Sequence, residues 1–473
     1  MGFRWGDVTA RDILTPLGGS LVAGSPDTVF SGISTDSRKI PRGYLFWVLR
    51  GERHDAHDFV ADALEKGAAG VVLEEPLKAR IPEGSRPAVI KVPDTLKALG
   101  DLAGWWRQGH GIPVAAVTGS VGKTTTKEMA AAILQLGAPT LKNEGNLNNL
   151  IGLPLTLLSM EERHRRAVVE MGMNRAGEIA RLTEIADPDI GLITNVAKAH
   201  LEGVGGEEGV LRAKTEMVEK ISARSLVLLN GDDKRLLEAS LPFGKRIKTF
   251  GTGRNCDFRG TGIRNLGREG IAFELHYEGK VLSLTLGVPG TQHVANALAA
   301  CAIALSLGEE PENLVRGLES FRGIKGRFML LPLPRGITLV DDTYNANPVS
   351  LKVALRTLKD LCRGEGRMIA GIGDMLELGD ETPAAHREAG AVAAEVGIHH
   401  LLAIGDYARE VVQGALERGI AADRAEVVGS REEMASRIRT IVKDGDLVLL
   451  KGSRGMALER VVDLLRAALE KET

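Results

Sequence analysis

The chain has 473 residues, enough for roughly three domains of about 150 residues each. A hydrophobic fraction of 44% and a charged fraction of 26% are those of a folded globular chain and exclude wholesale disorder. Lys plus Arg number 60 against 62 Asp plus Glu, so the formal net charge of -2 supplies no global field for a nucleic-acid backbone or an anionic membrane, and any anionic ligand needs a local site.

An aromatic fraction of 4% is too sparse for stacking platforms, which also argues against nucleic acid. Cys256, Cys301 and Cys362 lie far apart, form no CxxC pair, and read as buried thiols in a reducing compartment. No run of 18 apolar residues occurs, and the start MGFRWGDVTARDIL alternates polar with apolar instead of showing a basic and then an apolar region. These features predict a cytoplasmic chain with no membrane insertion.

In chain order, the first ninety residues carry β-like runs at 28–38 and 43–49, an amphipathic segment at 58–68 and a buried-strand run AGVVLEE at 69–75. A stretch rich in Pro and charge follows at 75–94. The segment TLKALGDLAGWWRQ then places Leu96, Leu99, Leu102 and Trp106 on one helical face, with a domain boundary near Pro93. From Ile112 onward, apolar strands (IPVAAVTG, RRAVVEMG, DIGLITNV, SLVLLNG) alternate with helical segments, which predicts a parallel sheet with helices on both faces. Residues 270–286 switch to period-two strands about a Glu278-Gly279 turn, read as an antiparallel edge, before the Ala-rich helix HVANALAACAIALSL. The last section repeats strand then helix through GITLVDD, RMIAGIGDM, HHLLAIGD, AEVVG and DLVLLKGS. The predicted class is α/β in three domains: a small N-terminal α/β domain (1–92), a central P-loop parallel-sheet domain with an antiparallel edge (93–326), and a C-terminal doubly wound, Rossmann-like domain (327–473).

The strongest local signal is TGSVGKTTT at 118–126, between the strand PVAAV and the helix KEMAAAILQL. Glycines let loop N–H groups turn toward phosphate oxygens, and the helix adds its unpaired N–H groups and positive dipole end. Lys123 brings a mobile charge for the β- and γ-phosphates, and Thr124 a hydroxyl for Mg²⁺. Val117 stands where the full GxxxxGK[ST] pattern has glycine, so this is a shortened loop.

Glu170 and His200 each follow a predicted strand at its carboxyl end. There a carboxylate reads as a Mg²⁺ ligand or a surface group, and an imidazole as a ligand or a structural histidine. Lys214, in LRAKTEM, reads as a solvated helix lysine. Asn296 needs a partner among apolar neighbours, either a nucleobase edge or backbone groups. Asp341 and Asp342 end the strand GITLV, so at least one carboxylate is expected to face the crevice above the sheet and meet ribose hydroxyls. Arg327 reads as a phosphate clamp or an interdomain salt bridge.

Together these segments resemble the Mur ligase family of peptidoglycan synthesis over nearly the whole chain, and within it the type that adds D-alanyl-D-alanine. The resemblance rests on STDSR (34–38), GERHDAHDF (51–59), TGSVGKTTTK (118–127), GNLNNLIGLPLTLL (145–158), EMGMNRAGEI (170–179) and NVAKAHLEGVG (195–205). It continues through AKTEM (213–217), HVANALAA (293–300), KGRF (325–328), DDTYNANP (341–348), GDMLELG (373–379) and KGSRGMALE (451–459). The shortened loop is shared by the wider ligase family, including folylpolyglutamate synthetases, whereas the DNPR-like signature of the diaminopimelate-adding type is absent.

The resemblance implies that Thr118, Gly119, Ser120, Val121, Gly122, Lys123, Thr124 and Thr125 bind ATP phosphates, with Asn296 on adenine, Asp342 on ribose and Arg327 on phosphate. It implies two Mg²⁺ served by Thr124, Glu170, His200 and Lys214, the last as a carbamate formed with CO₂, and it makes Lys123, His200 and Lys214 catalytic. Ser37, Arg38, Asn146 and Asn148 are the implied contacts to UDP-N-acetylmuramoyl-tripeptide, which a monomeric enzyme would join to D-alanyl-D-alanine through an acyl phosphate. The competing readings are another ligase of the superfamily and a P-loop ATPase or GTPase switch; the GTPase version is disfavoured because no Asn/Thr-Lys-x-Asp motif occurs.

Overall fold

A computed structural model describes residues 3–51, 55–77, 81–82, 84–196, 206–362 and 366–470. Among these residues the strands make three sheets. The first contains β1 (Ser20–Ala23), β2 (Ile33–Ser34), β3 (Leu45–Trp47), β4 (Gly70–Leu73) and β5 (Ala88–Lys91) in the order β1-β5-β4-β3-β2, parallel except for β1 against β5. Strand β5 emerges from the Pro- and charge-rich stretch that the sequence reading passes over, because Ala88, Val89 and Ile90 are buried between two neighbours.

The helix Thr95–His110 starts where the Asp94 side chain accepts the Lys97 N–H and stops at Gly111, whose φ is +61°. Its buried stripe includes Thr95, Ala98, Leu99, Leu102, Ala103 and Trp106, while Leu96 is exposed, contrary to the sequence reading. The reason is geometric: at about 100° per residue, two three-residue steps carry Leu96 about 120° from Leu102. The Trp106 indole donates to the Met160 carbonyl at 3.1 Å, which ties this helix to the layer beneath it.

The second sheet contains β6 (Val114–Thr118), β7 (Thr140–Lys142), β8 (Arg166–Glu170), β9 (Ile190–Ile193) and β10 (Leu226–Asn230), then β11 (Arg246–Gly251), β12 (Phe258–Asn265), β13 (Ile271–Tyr277) and β14 (Lys280–Leu286). Its order is β14-β13-β12-β11-β10-β9-β6-β8-β7. The pairs among β6–β9 and between β9 and β10 are parallel, as the near-continuous apolar runs predict, and β12–β14 form the antiparallel edge. Tyr277 pairs with Lys280 across a two-residue turn in which Glu278 (φ 48°) and Gly279 (φ 74°) are both left-handed, the twist a tight hairpin requires.

The third sheet contains β15 (Met329–Pro332), β16 (Thr338–Asp342), β17 (Met368–Gly373), β18 (His400–Ile404), β19 (Ala425–Val427) and β20 (Leu447–Lys451), ordered β15-β16-β20-β17-β18-β19. Only β15 runs antiparallel. Alternate residues feed two cores: Val340, Ala370 and Leu449 pack with Leu355, Leu358 and Ala393, while Leu339, Ile369 and Val448 pack with Met434, Ile438 and Val461. This is the doubly wound arrangement expected.

The chain forms two compact units, one built on the first sheet and β6–β10, the other on β12–β14 and the third sheet. None of the three cysteines forms a disulfide; Cys301 and Cys362 are buried as expected, but Cys256 is only partly so. Among the described residues no helix is long and apolar enough to cross a membrane.

Candidate nucleotide-binding site

Strand β6 lies between β8 and β9, at the point where the strand order reverses, and the loop that follows it opens at the carboxyl edge where α/β sheets bind ligands. Gly119 (φ +139°) approaches Thr194 so closely that a Cβ would sit 2.0 Å from its hydroxyl, and Gly122 (φ +88°) turns the chain into the helix Lys123–Gly137. The end of β9 braces the loop. Asn195 accepts the Ser120 N–H at its carbonyl and the Val121 N–H at Oδ1, both at 3.0 Å, while Thr194 Oγ1 and Asn195 Nδ2 donate to the Val121 carbonyl at 2.7 and 2.9 Å. Two of the N–H groups expected to surround phosphate are therefore held by Asn195. The backbone N–H groups left for an anion are those of the first turn of the helix, which have no acceptor within it. Lys123 Nζ donates to the carbonyls of Gly119 at 2.8 Å and Ser120 at 3.3 Å, poised over the same loop.

The register Val117 with Glu170 carries Glu170, at the end of β8, to the base of the loop. Glu170 is buried at 2% exposure, and both its oxygens are engaged: Thr124 Oγ1 donates to Oε2 and Asn148 Nδ2 to Oε1, each at 2.7 Å. Asn143 brackets the same residue's backbone, accepting its N–H at 2.9 Å and donating to its carbonyl at 3.0 Å. Of the two loop asparagines expected to touch substrate, Asn148 thus meets Glu170, while Asn146 is exposed. A threonine hydroxyl beside one carboxylate is a sparse set of hard oxygen donors, which suits a cation that keeps waters and substrate phosphates in its shell, as Mg²⁺ does.

Lys214, on the helix Gly206–Lys220, overturns its reading as a solvated lysine: it is 2% exposed, with Nζ 3.4 Å from Thr118 Oγ1. Burial, and then the like charge of Lys123, push its ammonium well below the ordinary lysine range. His200 lies outside the described residues, as do Arg53 and His54 of the GERHDAHDF segment.

In the other unit, the helix His293–Ser306 carries Asn296, whose Nδ2 is 3.5 Å from His293 Nδ1. Burial lowers the His293 imidazole to about 4. Asp341 does not face the crevice: it is 1% exposed, accepting the Gly326 N–H at 3.0 Å and the Thr343 hydroxyl at 2.6 Å. Asp342 accepts the Phe328 N–H at 3.1 Å and is paired with Lys451. The Arg327 guanidinium stacks 4.2 Å over the Tyr344 ring, an arrangement that leaves its planar edge for an anion.

In the first sheet's neighbourhood, Ser37 is buried in the turn Ser37–Lys39, where its carbonyl accepts Lys66 Nζ at 3.0 Å. Arg38 is exposed and bidentate with Asp36, which holds that carboxyl down at about 2. Sequence reading missed Asn195, Asn143 and Tyr344. The signal for Asn195 was available, since an amide just beyond a central parallel strand stands beside the phosphate loop.

The fold and this loop define a phosphate-loop, nucleotide-binding α/β protein. Comparison with known proteins narrows the class. Three family models match: "Mur ligase family, catalytic domain" at residues 29–107, "Mur ligase middle domain" at 117–304, and "Mur ligase, glutamate ligase domain" at 326–454. The UDP-N-acetylmuramoyl-tripeptide--D-alanyl-D-alanine ligase of Bacillus subtilis is 37% identical over 93% of this chain and 94% of its own length. The crystal structure of MurF from Acinetobacter baumannii superposes with a TM-score of 0.87 at 33% identity, covering 97% of this chain and 98% of that one. MurF ligase from Thermotoga maritima, solved in complex with ADP, gives 0.80 at 28% identity over 93% and 98% of the two chains. The chain belongs to the Mur ligase family and is an ATP-binding ligase.

Proposed function

We propose that the protein joins D-alanyl-D-alanine to UDP-N-acetylmuramoyl-tripeptide in the cytoplasm, forming the UDP-N-acetylmuramoyl-pentapeptide of peptidoglycan synthesis with release of ADP and phosphate. The observation that carries this reading is the Thr124–Glu170 pair, 2.7 Å apart beside Lys123, in a chain that matches a ligase of that name over 93% of its length. Residues 1–92 hold the UDP-sugar through Ser37 and Arg38, residues 93–326 hold ATP, and residues 327–473 present the dipeptide.

A carboxylate is too poor an electrophile for an amine, so it is first phosphorylated. The tripeptide carboxylate oxygen attacks the γ-phosphorus, the bridging P–O bond breaks, and ADP leaves as an acyl phosphate forms. The dipeptide amine then adds to the acyl carbon, the C–O bond to phosphate breaks with its electron pair, and the amine proton passes to solvent. Lys123 and the helix N-terminus stabilise the negative charge that builds on the transferring group, where preorganised donors contribute most. Arg327 contacts phosphate, Asn296 the adenine edge and Asp342 the ribose.

Thr124 and Glu170, with His200 and Lys214, would hold Mg²⁺, which would neutralise phosphate charge when bound. A cationic Lys214 beside Lys123 would repel it. The buried, readily neutral amine would instead add CO₂ with loss of a proton, giving an N-carboxylate able to serve as a further oxygen donor. Incubation with Mg·ATP and both substrates, read by mass spectrometry, is expected to yield the pentapeptide; omission of either substrate is expected to abolish it. Product from a different amine, with none from D-alanyl-D-alanine, would replace this reading with another ligase of the family.

A further inference from the structure

Lys127 lies one helical turn beyond Lys123 and is 0% exposed. A buried ammonium is costly unless it is paired and hydrogen-bonded, and this one is both. Its Nζ donates to the Asn143 carbonyl at 2.5 Å and meets the Glu128 carboxylate at 2.8 Å. Glu128 also accepts Lys142 Nζ at 2.5 Å, so this helix grips the end of β7 through two lysines. The chain they hold leads directly into the Asn143–Asn148 loop. Asn143 Nδ2 donates to the Leu147 carbonyl at 2.8 Å, closing the loop on itself, and the Asn143 amide takes the place of a neighbouring strand for Glu170. At the loop's other end, the Asn148 carbonyl accepts the Gly172 N–H at 2.7 Å while its side chain reaches the Glu170 carboxylate.

Resting on the ligase reading above, we propose that Lys127 is a positioning residue: anchored on Asn143, it fixes this loop so that Asn143 and Asn148 hold Glu170 against the Thr124 hydroxyl, in the pose that receives the divalent cation accompanying ATP. An apolar side chain of the same length would fill the space without desolvating a charge. What the charge adds is a fixed main-chain carbonyl at the start of the loop that carries both Glu170 contacts. Outer-sphere groups of this kind typically change metal affinity by about 10–100-fold when removed.

The test is Mn²⁺ binding to the full-length protein with ADP, followed by electron paramagnetic resonance, for wild type, Lys127→Met and Asn143→Ala. The expected result is roughly 10- to 100-fold weaker Mn²⁺ binding in either variant. The Mg²⁺ concentration for half-maximal ligation should rise in parallel, kcat should recover at saturating Mg²⁺, and KM for the UDP-substrate should stay unchanged. Should Lys127→Met fail to fold, Lys127→Gln, whose shorter neutral side chain cannot reach the Asn143 carbonyl, decides the matter, because Asn143→Ala keeps that carbonyl and reads only the loop's hold on Glu170. A folded variant with wild-type Mn²⁺ affinity overturns the positioning role and leaves the ligase reading intact. Wild-type protein that binds no Mn²⁺ with ADP overturns the metal-site reading, and this proposal with it, before any variant is made.

Discussion

Lys451 Nζ lies 2.7 Å from Asp342 Oδ2, although 109 residues separate them in the chain. They are register partners at the carboxyl ends of the adjacent parallel strands β20 and β16, with side chains only 3% and 13% exposed. Lys451 also donates to the Asn345 carbonyl at 2.9 Å, so one ammonium fixes both the proposed ribose contact and the start of the Tyr344-Asn345 segment. Burial pushes the Asp342 carboxyl above its ordinary range, outweighing the downward pull of Lys451.

Removing one member of such a pair leaves the other charged, buried and unpaired. Lys451→Met is therefore expected to destabilise the protein by about 3–5 kcal/mol in urea melts. Combining it with Asp342→Leu is expected to recover most of that loss. A single variant within about 0.5 kcal/mol of wild type, the range of an ordinary surface substitution, would show that the pair does not hold these strand ends.

In the proposed mechanism Lys123 stabilises charge on the transferring phosphate. Lys123→Ala is expected to lower kcat by about 10²–10³-fold, the usual effect of losing one preorganised charge-stabilising donor. KM for D-alanyl-D-alanine should hardly move. Steady-state kinetics that instead show an unchanged kcat would remove Lys123 from the chemistry.

Lys214→Ala is expected to lose most ligation activity while keeping the fold, since a small apolar group replaces a buried amine. Added formate or acetate is expected to restore part of the rate by supplying the missing carboxylate. Full activity without rescue would discard the carbamate.

His293 gives a pH dependence with a definite sign. Burial lowers its imidazole from 6.5 to about 4, so the folded chain takes up this proton less readily than the unfolded chain. Its contribution to stability is therefore fully present above pH 6.5 and is lost as the pH falls from about 6.5 to about 4. His293→Gln is expected to flatten the decline in Tm across that window. An identical pH profile in the variant would contradict it.

What could be read from the sequence was what is local in it. Apolar runs separated by glycine loops marked the parallel strands, the TGSVGKTTT loop marked the nucleotide edge, and Glu278-Gly279 marked a hairpin because both residues must be left-handed. Lysines were the hardest to read. Lys127, Lys214 and Lys451 have the local sequence of solvated lysines, but each is buried against a partner distant in the chain: a carbonyl in the next loop, a strand-end threonine, and a carboxylate on a neighbouring strand. The contact of Asn148 with Glu170 was hidden for the same reason, since nothing near Asn148 in sequence points to a residue 22 positions away. Strand β5 was hidden by the prolines before it, although burial between two neighbours outweighs local composition.

The most direct test of ligation through an acyl phosphate is isotope transfer. UDP-N-acetylmuramoyl-tripeptide labelled with ¹⁸O in its terminal carboxylate is incubated with Mg·ATP and D-alanyl-D-alanine, and the released phosphate is weighed by mass spectrometry alongside the peptide product. One ¹⁸O atom in the phosphate for each pentapeptide formed is the predicted result. Unlabelled phosphate released without pentapeptide would mean that water, not the peptide carboxylate, attacks ATP, and that the protein is a nucleotide hydrolase instead of an amide ligase.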